Sequence, residues 1–149
     1  MNASIRPARA ADLDAVVRIE AAWPTAPHWN RRQFEAELPE RGAKRSIFLV
    51  AESDLVVAGH GVAWLVEEEV QILTLAVHRA MARGGVGRLL LQGLLDAARA
   101  AGCRRATLEV SEGNAPARSL YESSGFAVVG RRPGFYEDGS CALLMDKTL

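Results

Sequence analysis

Two patterns of apolar residues, one typical of strands and one typical of helices, divide the chain into short segments. Runs rich in β-branched and apolar residues predict strands. Apolar residues that recur every three or four positions predict helices, because one face of a helix then carries them all. The predicted strands are Ser4–Arg6, Ser46–Glu52, Leu55–Val66, Val70–Val77, Ala106–Val110, Phe126–Arg132 and Cys141–Thr148. The predicted helices are Asp12–Glu20, Asn30–Leu38, Val86–Ala101 and Asn114–Ser124.

The order of these elements, β-α-α-β-β-β-α-β-α-β-β, predicts a mixed α/β fold in which helices flank a central mixed sheet. A single domain covering residues 1–149 accounts for the whole length. Pro39 is expected to end the second helix. Gly59 and Gly61 interrupt the third strand and indicate a β-bulge there.

The stretch Trp23–Trp29 contains Pro24 and Pro27 and is therefore predicted to be a loop. Its two tryptophans allow two interpretations. In the first, they form a wall of a substrate site. In the second, they close the end of the hydrophobic core. The sequence leaves both open.

Charge and composition narrow the possible partners. Lys plus Arg equals Asp plus Glu at 18 each, so no net charge attracts nucleic acid or an anionic membrane. No run approaches the roughly 18 apolar residues of a membrane helix, and the first residues lack the apolar core of a secretion signal. Cys103 and Cys141 fit neither a disulfide scaffold nor a zinc site. His28, His60 and His78 follow no ligand spacing. We therefore expect a cytoplasmic protein without a metal.

A glycine-rich turn, Ala82–Arg88, lies between the fourth predicted strand and the third predicted helix. The first amides of a helix lack internal partners and lie at its positive end, and glycines let a ligand approach them closely. Arg83 and Arg88 add positive charge. The turn predicts a diphosphate site, although a plain connection between strand and helix has the same pattern. Arg88 stands where a P-loop requires Lys, and Leu90 stands where a dinucleotide fingerprint requires Gly, which excludes both motifs.

Three further side chains are candidates for chemistry or binding. Glu109 shares a strand face with Thr107, and its carboxylate is either a general base or a member of a surface ion pair. Tyr121 lies in the last predicted helix. It is either a neutral proton donor, since the reference pKa of tyrosine is about 10, or a core residue. Asn114 is predicted to cap that helix.

Five segments form a recognisable succession: Leu75–Val77, Arg83–Leu90, Leu108–Val110, Asn114 and Leu120–Phe126. This succession resembles the GCN5-related N-acetyltransferase (GNAT) family, and within it the bacterial ribosomal-protein-alanine N-acetyltransferases. The resemblance is clear from about residue 70 to residue 130. The sequence departs from the family pattern at Ala82 (usually Gln or Arg), at Arg79 (often Pro) and at Ser140-Cys141 (usually two acids).

The resemblance implies the GNAT fold, with about seven strands and about four helices, in which a splayed pair of strands holds acetyl-CoA. The pantetheine arm would lie along the strand that ends at Val77, the pyrophosphate would bind the glycine turn, and Asn114 would bond the arm. The cosubstrate-binding residues implied in this way are Leu75, Ala76, Val77, Arg83, Gly84, Gly85, Val86, Gly87, Arg88 and Asn114.

The resemblance also implies direct transfer of an acetyl group to an amine. Glu109 would take the proton of the amine, a backbone amide near Val77 would hold the oxyanion, and Tyr121 would protonate the departing thiolate. The expected acceptor is a protein N-terminus, because an α-amino group has a reference pKa near 8 and lysine one near 10.4. The alternatives are a lysine or small-molecule amine, a non-catalytic acyl-CoA sensor or interaction module, and a nucleotide-binding module. A monomer or homodimer is expected.

Overall fold

One mixed β-sheet forms the framework of the computed structural model, which describes residues 2–149. Within these residues seven strands lie in the order β1-β2-β3-β4-β5-β7-β6. The strands are β1 (Ala3–Pro7), β2 (Ser46–Ser53), β3 (Val56–Val66), β4 (Glu69–Val77), β5 (Arg105–Ser111), β6 (Ala127–Arg132) and β7 (Ala142–Thr148). The α-helices of this part of the chain are α1 (Leu13–Ala21), α2 (Arg31–Glu35), α3 (Val86–Ala100) and α4 (Ala115–Ser123), and short 3-10 turns lie at Ala10–Asp12, Pro39–Arg41 and Arg79–Met81.

The predicted order of strands and helices is confirmed. Strands β1 to β4 pair antiparallel in sequence order. β4 pairs with β5 in parallel, and β5 continues antiparallel into β7 and β6. A parallel pair requires a crossover connection, which α3 supplies between β4 and β5. The mixed sheet therefore follows from the one long helix between two adjacent strands.

Helices cover both faces of the central strands. Neighbouring residues of β2 point to opposite faces, so Leu49 contacts the α3 core while Phe48 and Val50 belong to the core under α1 and α2. The buried residues of α3 recur at the helical period and are Val86, Leu90, Leu91, Leu94, Leu95 and Ala98. Burial on both faces explains why β2, β3 and β4 are so apolar.

Gly59 of β3 allows α3 to pack closely on the sheet. A Cβ at this position would lie 2.9 Å from the carbonyl oxygen of Ala76 and 2.9 Å from Cδ1 of Leu90. The register between β2 and β3 shifts at Ala58, beside Gly59, which confirms the predicted β-bulge. The glycine is required here by the close approach of backbone and helix.

We expect Gly59→Ala to lower the free energy of unfolding by about 1–3 kcal/mol, because the added methyl group overpacks a filled interface. Urea unfolding measures this as a lower midpoint at unchanged slope. Gly113→Ala is the matched control, since the nearest atom to a Cβ there is Oγ of Ser111 at 3.7 Å. Equal midpoints for wild type and Gly59→Ala would contradict the tight contact.

The second helix is shorter than predicted, because α2 ends at Glu35 and not at Leu38. A proline disfavours helical backbone at the residue before it, and Leu38, which precedes Pro39, has a ψ of 134°. The amides of Glu37 and Leu38 bond to carbonyls three residues back, as in a tight turn. The helix therefore ends before Leu38, whose backbone is extended, and Pro39 begins a separate 3-10 turn.

The segment Trp23–Trp29 is a loop, as predicted, and its two tryptophans have different surroundings. Trp29 packs against the core beside Phe34, with ring centroids 5.4 Å apart. Trp23 lies in a cleft beside β4. Trp29 therefore closes the core, and Trp23 as part of a substrate wall stays a prediction.

Candidate active site

β4 and β5 separate partway along the sheet. Their parallel pairing ends at the pair formed by Ile72 and Leu108, and the described part of the chain contains no pairing between them beyond it. β4 stays paired with β3 as far as Val77, and β5 stays paired with β7 as far as Ser111. The two strands therefore open a cleft of about 670 Å³.

A β-bulge in β4 lies where the separation begins. Val62 of β3 pairs with Thr74, while the next residue of β3 pairs with Ile72, so Leu73 is the extra residue. Leu73 packs in the core under α1, and the hydroxyl of Thr74 also bonds to α1. Leu75 packs on the α3 side. The bulge thus directs two consecutive side chains of β4 toward the same helix.

The cleft edge of β4 carries backbone hydrogen-bonding groups. The amide of His78 donates to the carbonyl of Ala58 at 2.8 Å, so the carbonyl of Val77, in the same peptide, points away from β3. The N–H and C=O of one strand residue point to the same side, and Leu75 repeats this orientation two residues earlier. Trp23 Nε1 donates to the carbonyl of Val77 at 2.8 Å. This edge can pair with a ligand arm as with another strand.

The glycine turn leads directly into the N-terminus of α3. Gly85 has a φ of +86°, and a Cβ there would meet nothing within 4 Å, so the requirement for glycine is conformational. Arg83 also has a positive φ, +69°, which costs about 1–3 kcal/mol for a non-glycine residue. In the described chain, no side chain caps α3. Its first amides are therefore available to an anion.

Most of the residues expected to bind the cosubstrate line the cleft: Leu75, Ala76, Val77, Arg83, Gly85, Gly87, Arg88 and Asn114. Gly84 is outside this lining among the described residues. The side chain of Val86 is 1% exposed and packs in the core, so only its backbone can serve a ligand. Arg88 Nη2 donates to Oγ of Ser123 at 2.8 Å, which also ties α3 to α4.

Glu109 lines the cleft from β5. Its Oε1 lies 3.3 Å from Nη2 of Arg132, and the two side chains are 35% and 55% exposed. A pair this exposed contributes little to stability. The position therefore combines both interpretations from the sequence, because the ion pair lies at the cleft and leaves the carboxylate accessible to solvent.

Tyr121 lines the same cleft from α4. Its ring is buried and packs against Phe126, with centroids 5.9 Å apart. Burial, with a smaller contribution from Tyr136, raises the pKa of Tyr121 to about 12. The phenol is therefore neutral near neutral pH and able to donate a hydrogen. The carboxyl group of Glu109 and the phenol of Tyr121 thus line the same cleft.

Asn114 caps α4, as predicted, because its Oδ1 accepts from the amide of Ala117 at 3.2 Å. Its Nδ2 donates to Oγ1 of Thr25 at 3.1 Å. Together with the bond from Trp23 to Val77, this contact attaches the loop after α1 to both sides of the cleft.

Comparison with known proteins identifies the family and the fold. The sequence profile of the Acetyltransferase (GNAT) family matches residues 13–126. The chain belongs to the GNAT acetyltransferase family. A Bacillus subtilis (strain 168) protein provisionally named a [ribosomal protein bS18]-alanine N-acetyltransferase is 33% identical, over 99% of this chain and 97% of the relative. This GNAT chain is an N-acetyltransferase that uses acetyl-CoA.

Solved GNAT structures support the same assignment. The crystal structure of the ribosomal-protein-S18-alanine N-acetyltransferase from Escherichia coli has a TM-score of 0.85 and 27% identity, covering 99% of this chain and 94% of that one. The structure of yncA, an acetyltransferase from Salmonella typhimurium with its cofactor acetyl-CoA, has a TM-score of 0.83 and 26% identity, covering 100% and 95%.

The residues of this GNAT cleft fit acetyl-CoA. The outward backbone groups of Leu75 and Val77 suit an arm that contains amides. The uncapped start of α3, with Arg83 and Arg88 beside it, suits a pyrophosphate. Within residues 2–149 no group of three or more His, Cys, Asp or Glu is arranged to hold a metal ion. None of the helices in the same residues is both long and apolar enough to cross a bilayer.

Tyr136 is a cleft residue that the sequence did not single out. It lies in the connection between β6 and β7 and lines the cleft. Burial raises its pKa, and the charges of Glu109 and Asp138 add to the effect. The only signal in the sequence was the aromatic pair that Tyr136 forms with Phe135, and hydrophobic periodicity cannot place a loop side chain.

Proposed function

We propose that this N-acetyltransferase acetylates the N-terminal α-amino group of a protein, with a ribosomal protein that begins with alanine as the preferred acceptor. The observation that carries the proposal is that Glu109 and Tyr121 share one cleft with the exposed edge of β4. The relatives named for bS18 alanine acetylation support the acceptor. Such a substrate also agrees with the cytoplasmic location expected from the sequence.

Glu109, Tyr121 and the backbone of β4 each have one role in this proposal. Bound acetyl-CoA supplies the acetyl group as a thioester. Glu109 takes a proton from the acceptor ammonium, directly or through a water, so that the amine can attack. A backbone N–H on the Leu75–Val77 edge donates to the carbonyl oxygen as charge develops there. Tyr121 gives its phenolic hydrogen to the sulfur as the C–N bond replaces the C–S bond, and the second proton that the nitrogen loses on becoming an amide restores the phenol through solvent.

The acidity of the acceptor favours an α-amino group. Reference pKa values near 8 for an α-amino group and 10.4 for lysine mean that, near neutral pH, the unprotonated fraction of the α-amine is larger by about two orders of magnitude. The side chain of the proposed base, Glu109, is 35% exposed to solvent. Such a base needs to remove a proton from a smaller fraction of acceptor molecules when the acceptor is an N-terminus than when it is a lysine.

The test is acetylation of matched peptides followed by fragment-ion mass spectrometry. One peptide begins with alanine and contains an internal lysine, and its partner has the same sequence with the N-terminus already blocked. We expect one acetyl group on the α-amine of the first peptide and none on the second. Acetylation of the blocked peptide at lysine, or turnover only with small amines, would contradict the proposal.

A further inference from the structure

A buried polar cluster lies behind the cleft, between α1, β3 and β4. Glu20, in the last turn of α1, and His60 of β3 are 0% exposed, and Thr74 of β4 is 4% exposed. Glu20 Oε1 accepts from Oγ1 of Thr74 at 2.6 Å and from Nε2 of His60 at 3.0 Å. Its Oε2 accepts from the amide of Trp29 at 3.1 Å. One carboxylate thus joins two strands and a loop.

The cluster holds Glu20 as an anion. Burial by itself opposes the charged form, but the hydrogen bonds and charge from His60, with those from Thr74 and Trp29, lower the pKa of Glu20 overall. Nε2 of His60 faces the carboxylate, and its buried Nδ1 has no hydrogen-bond partner in the described chain.

Stability alone does not account for this arrangement. Replacing a buried ionic cluster by well-packed apolar residues is often neutral or stabilising, because taking charges out of water is costly. The ring of Phe34 lies edge-on to His60, with centroids 5.2 Å apart. What the carboxylate provides here, and an apolar side chain does not, is directional bonds to three separate elements.

Two of those elements, β4 and the loop after α1, line the cleft. Thr74 adjoins the bulge at which β4 leaves β5, and it lines the cleft. Trp29 ends the loop whose other end contributes Trp23 and Thr25 to the cleft. Glu20 itself lies directly before that loop. The carboxylate therefore fixes the strand edge and the loop relative to one another.

We propose that Glu20 is a positioning residue that, through Thr74 and the amide of Trp29, sets the distance between the thioester edge of β4 and the loop after α1. The inference rests on the proposed function only in that the acceptor amine meets the thioester in this cleft. It adds Glu20 and Trp29, which do not line the cleft among the described residues, and Thr74, which does. Removing one bond of the cluster lets the strand edge and the loop shift separately, and small misplacements of reacting groups reduce rates strongly.

The hydroxyl of Thr74 gives the cleanest test, because Thr74→Val removes one donor and keeps the side-chain volume. We expect kcat/KM for the acceptor peptide to fall about 10- to 100-fold, while the Kd of acetyl-CoA, measured by calorimetry, stays within about threefold, since the substitution changes neither the phosphate turn nor the backbone groups of β4. Thr74→Ser restores the hydroxyl and is expected to recover wild-type kinetics. Thr74→Ala, which also lacks the hydroxyl, repeats the measurement if the valine variant does not fold.

Val62→Ala is the matched control for loss of packing. Val62 is 0% exposed and pairs with Thr74 across β3 and β4, so this variant lowers the thermal midpoint at least as much but leaves the cluster bonds in place. We expect its kcat/KM per folded molecule to be unchanged. Wild-type kinetics in Thr74→Val, or no recovery in Thr74→Ser, would overturn the proposal. Absence of peptide acetylation by the wild type would instead overturn the proposed function.

Discussion

Tyr121→Phe is expected to lower kcat by about 10²- to 10⁴-fold, because the variant lacks the hydrogen that the departing thiolate must receive. The Kd of acetyl-CoA should stay close to wild type, since the change removes a single oxygen from a ring that packs on Phe126. Release of the free thiol measures turnover, and calorimetry measures binding. The pKa of about 12 keeps the phenol protonated, so Tyr121 itself should cause no loss of wild-type activity until the pH approaches that value.

Tyr136→Phe is the control for this substitution. Tyr136 is the second phenol in the cleft, and removing its hydroxyl leaves the proposed proton donor in place. We expect its kcat to change far less than that of Tyr121→Phe. If Tyr121→Phe turns over as fast as wild type, the phenol has no part in the chemistry and another group protonates the thiolate.

Glu109→Gln is expected to lower kcat/KM by about 10²- to 10⁴-fold at low pH and by less at high pH. Below its pKa near 8, the acceptor amine is mostly protonated and needs a base to remove the proton. Above that pKa it loses the proton to solvent, so the base matters less. A pH–rate profile from pH 6 to about 10 measures the change. Wild type and variant should converge as the pH rises.

Glu112→Gln provides the control for loss of a surface charge. Glu112 forms a similar ion pair, with Oε1 3.5 Å from Nη1 of Arg131, and its side chain is 45% exposed, but it does not line the cleft among the described residues. We expect a wild-type pH–rate profile from it. A profile for Glu109→Gln with the shape and height of wild type would mean that a different group takes the proton.

Local rules predicted most of the fold. The hydrophobic periods placed the strands and the α-helices in their observed order. Asn114 was correctly predicted to cap α4, because a cap depends on residues only three positions apart. The predicted end of α2, at Leu38, was wrong. Proline disfavours helical backbone at the residue before it, but the replacement of helical hydrogen bonds by tight turns at Glu37 and Leu38 depends on how Phe34 is held in the core.

The sequence supplied the glycine turn, Glu109, Tyr121 and Asn114 as candidates, and its resemblance to the GNAT family implied the candidate residues of β4. It could not place Tyr136 or Trp23, whose loops follow no period. Nor did it reveal that Glu20, four residues after Val16 and so on the buried stripe of α1, bonds to a hydroxyl 54 residues away. Its partners come from other elements, so no local pattern names them.

The resemblance to the GNAT family implied a splayed pair of strands, but only the tertiary structure shows that β4 and β5 separate after four residue pairs. The pattern of hydrophobic residues in the two strands does not mark the point at which their pairing ends. The opening arises because β3 holds β4, β7 holds β5, and a bulge turns Thr74 toward α1. Competition among non-local strand pairings depends on the whole sheet, so no local pattern predicts it. The sequence by itself determined which side chains are available to line the cleft.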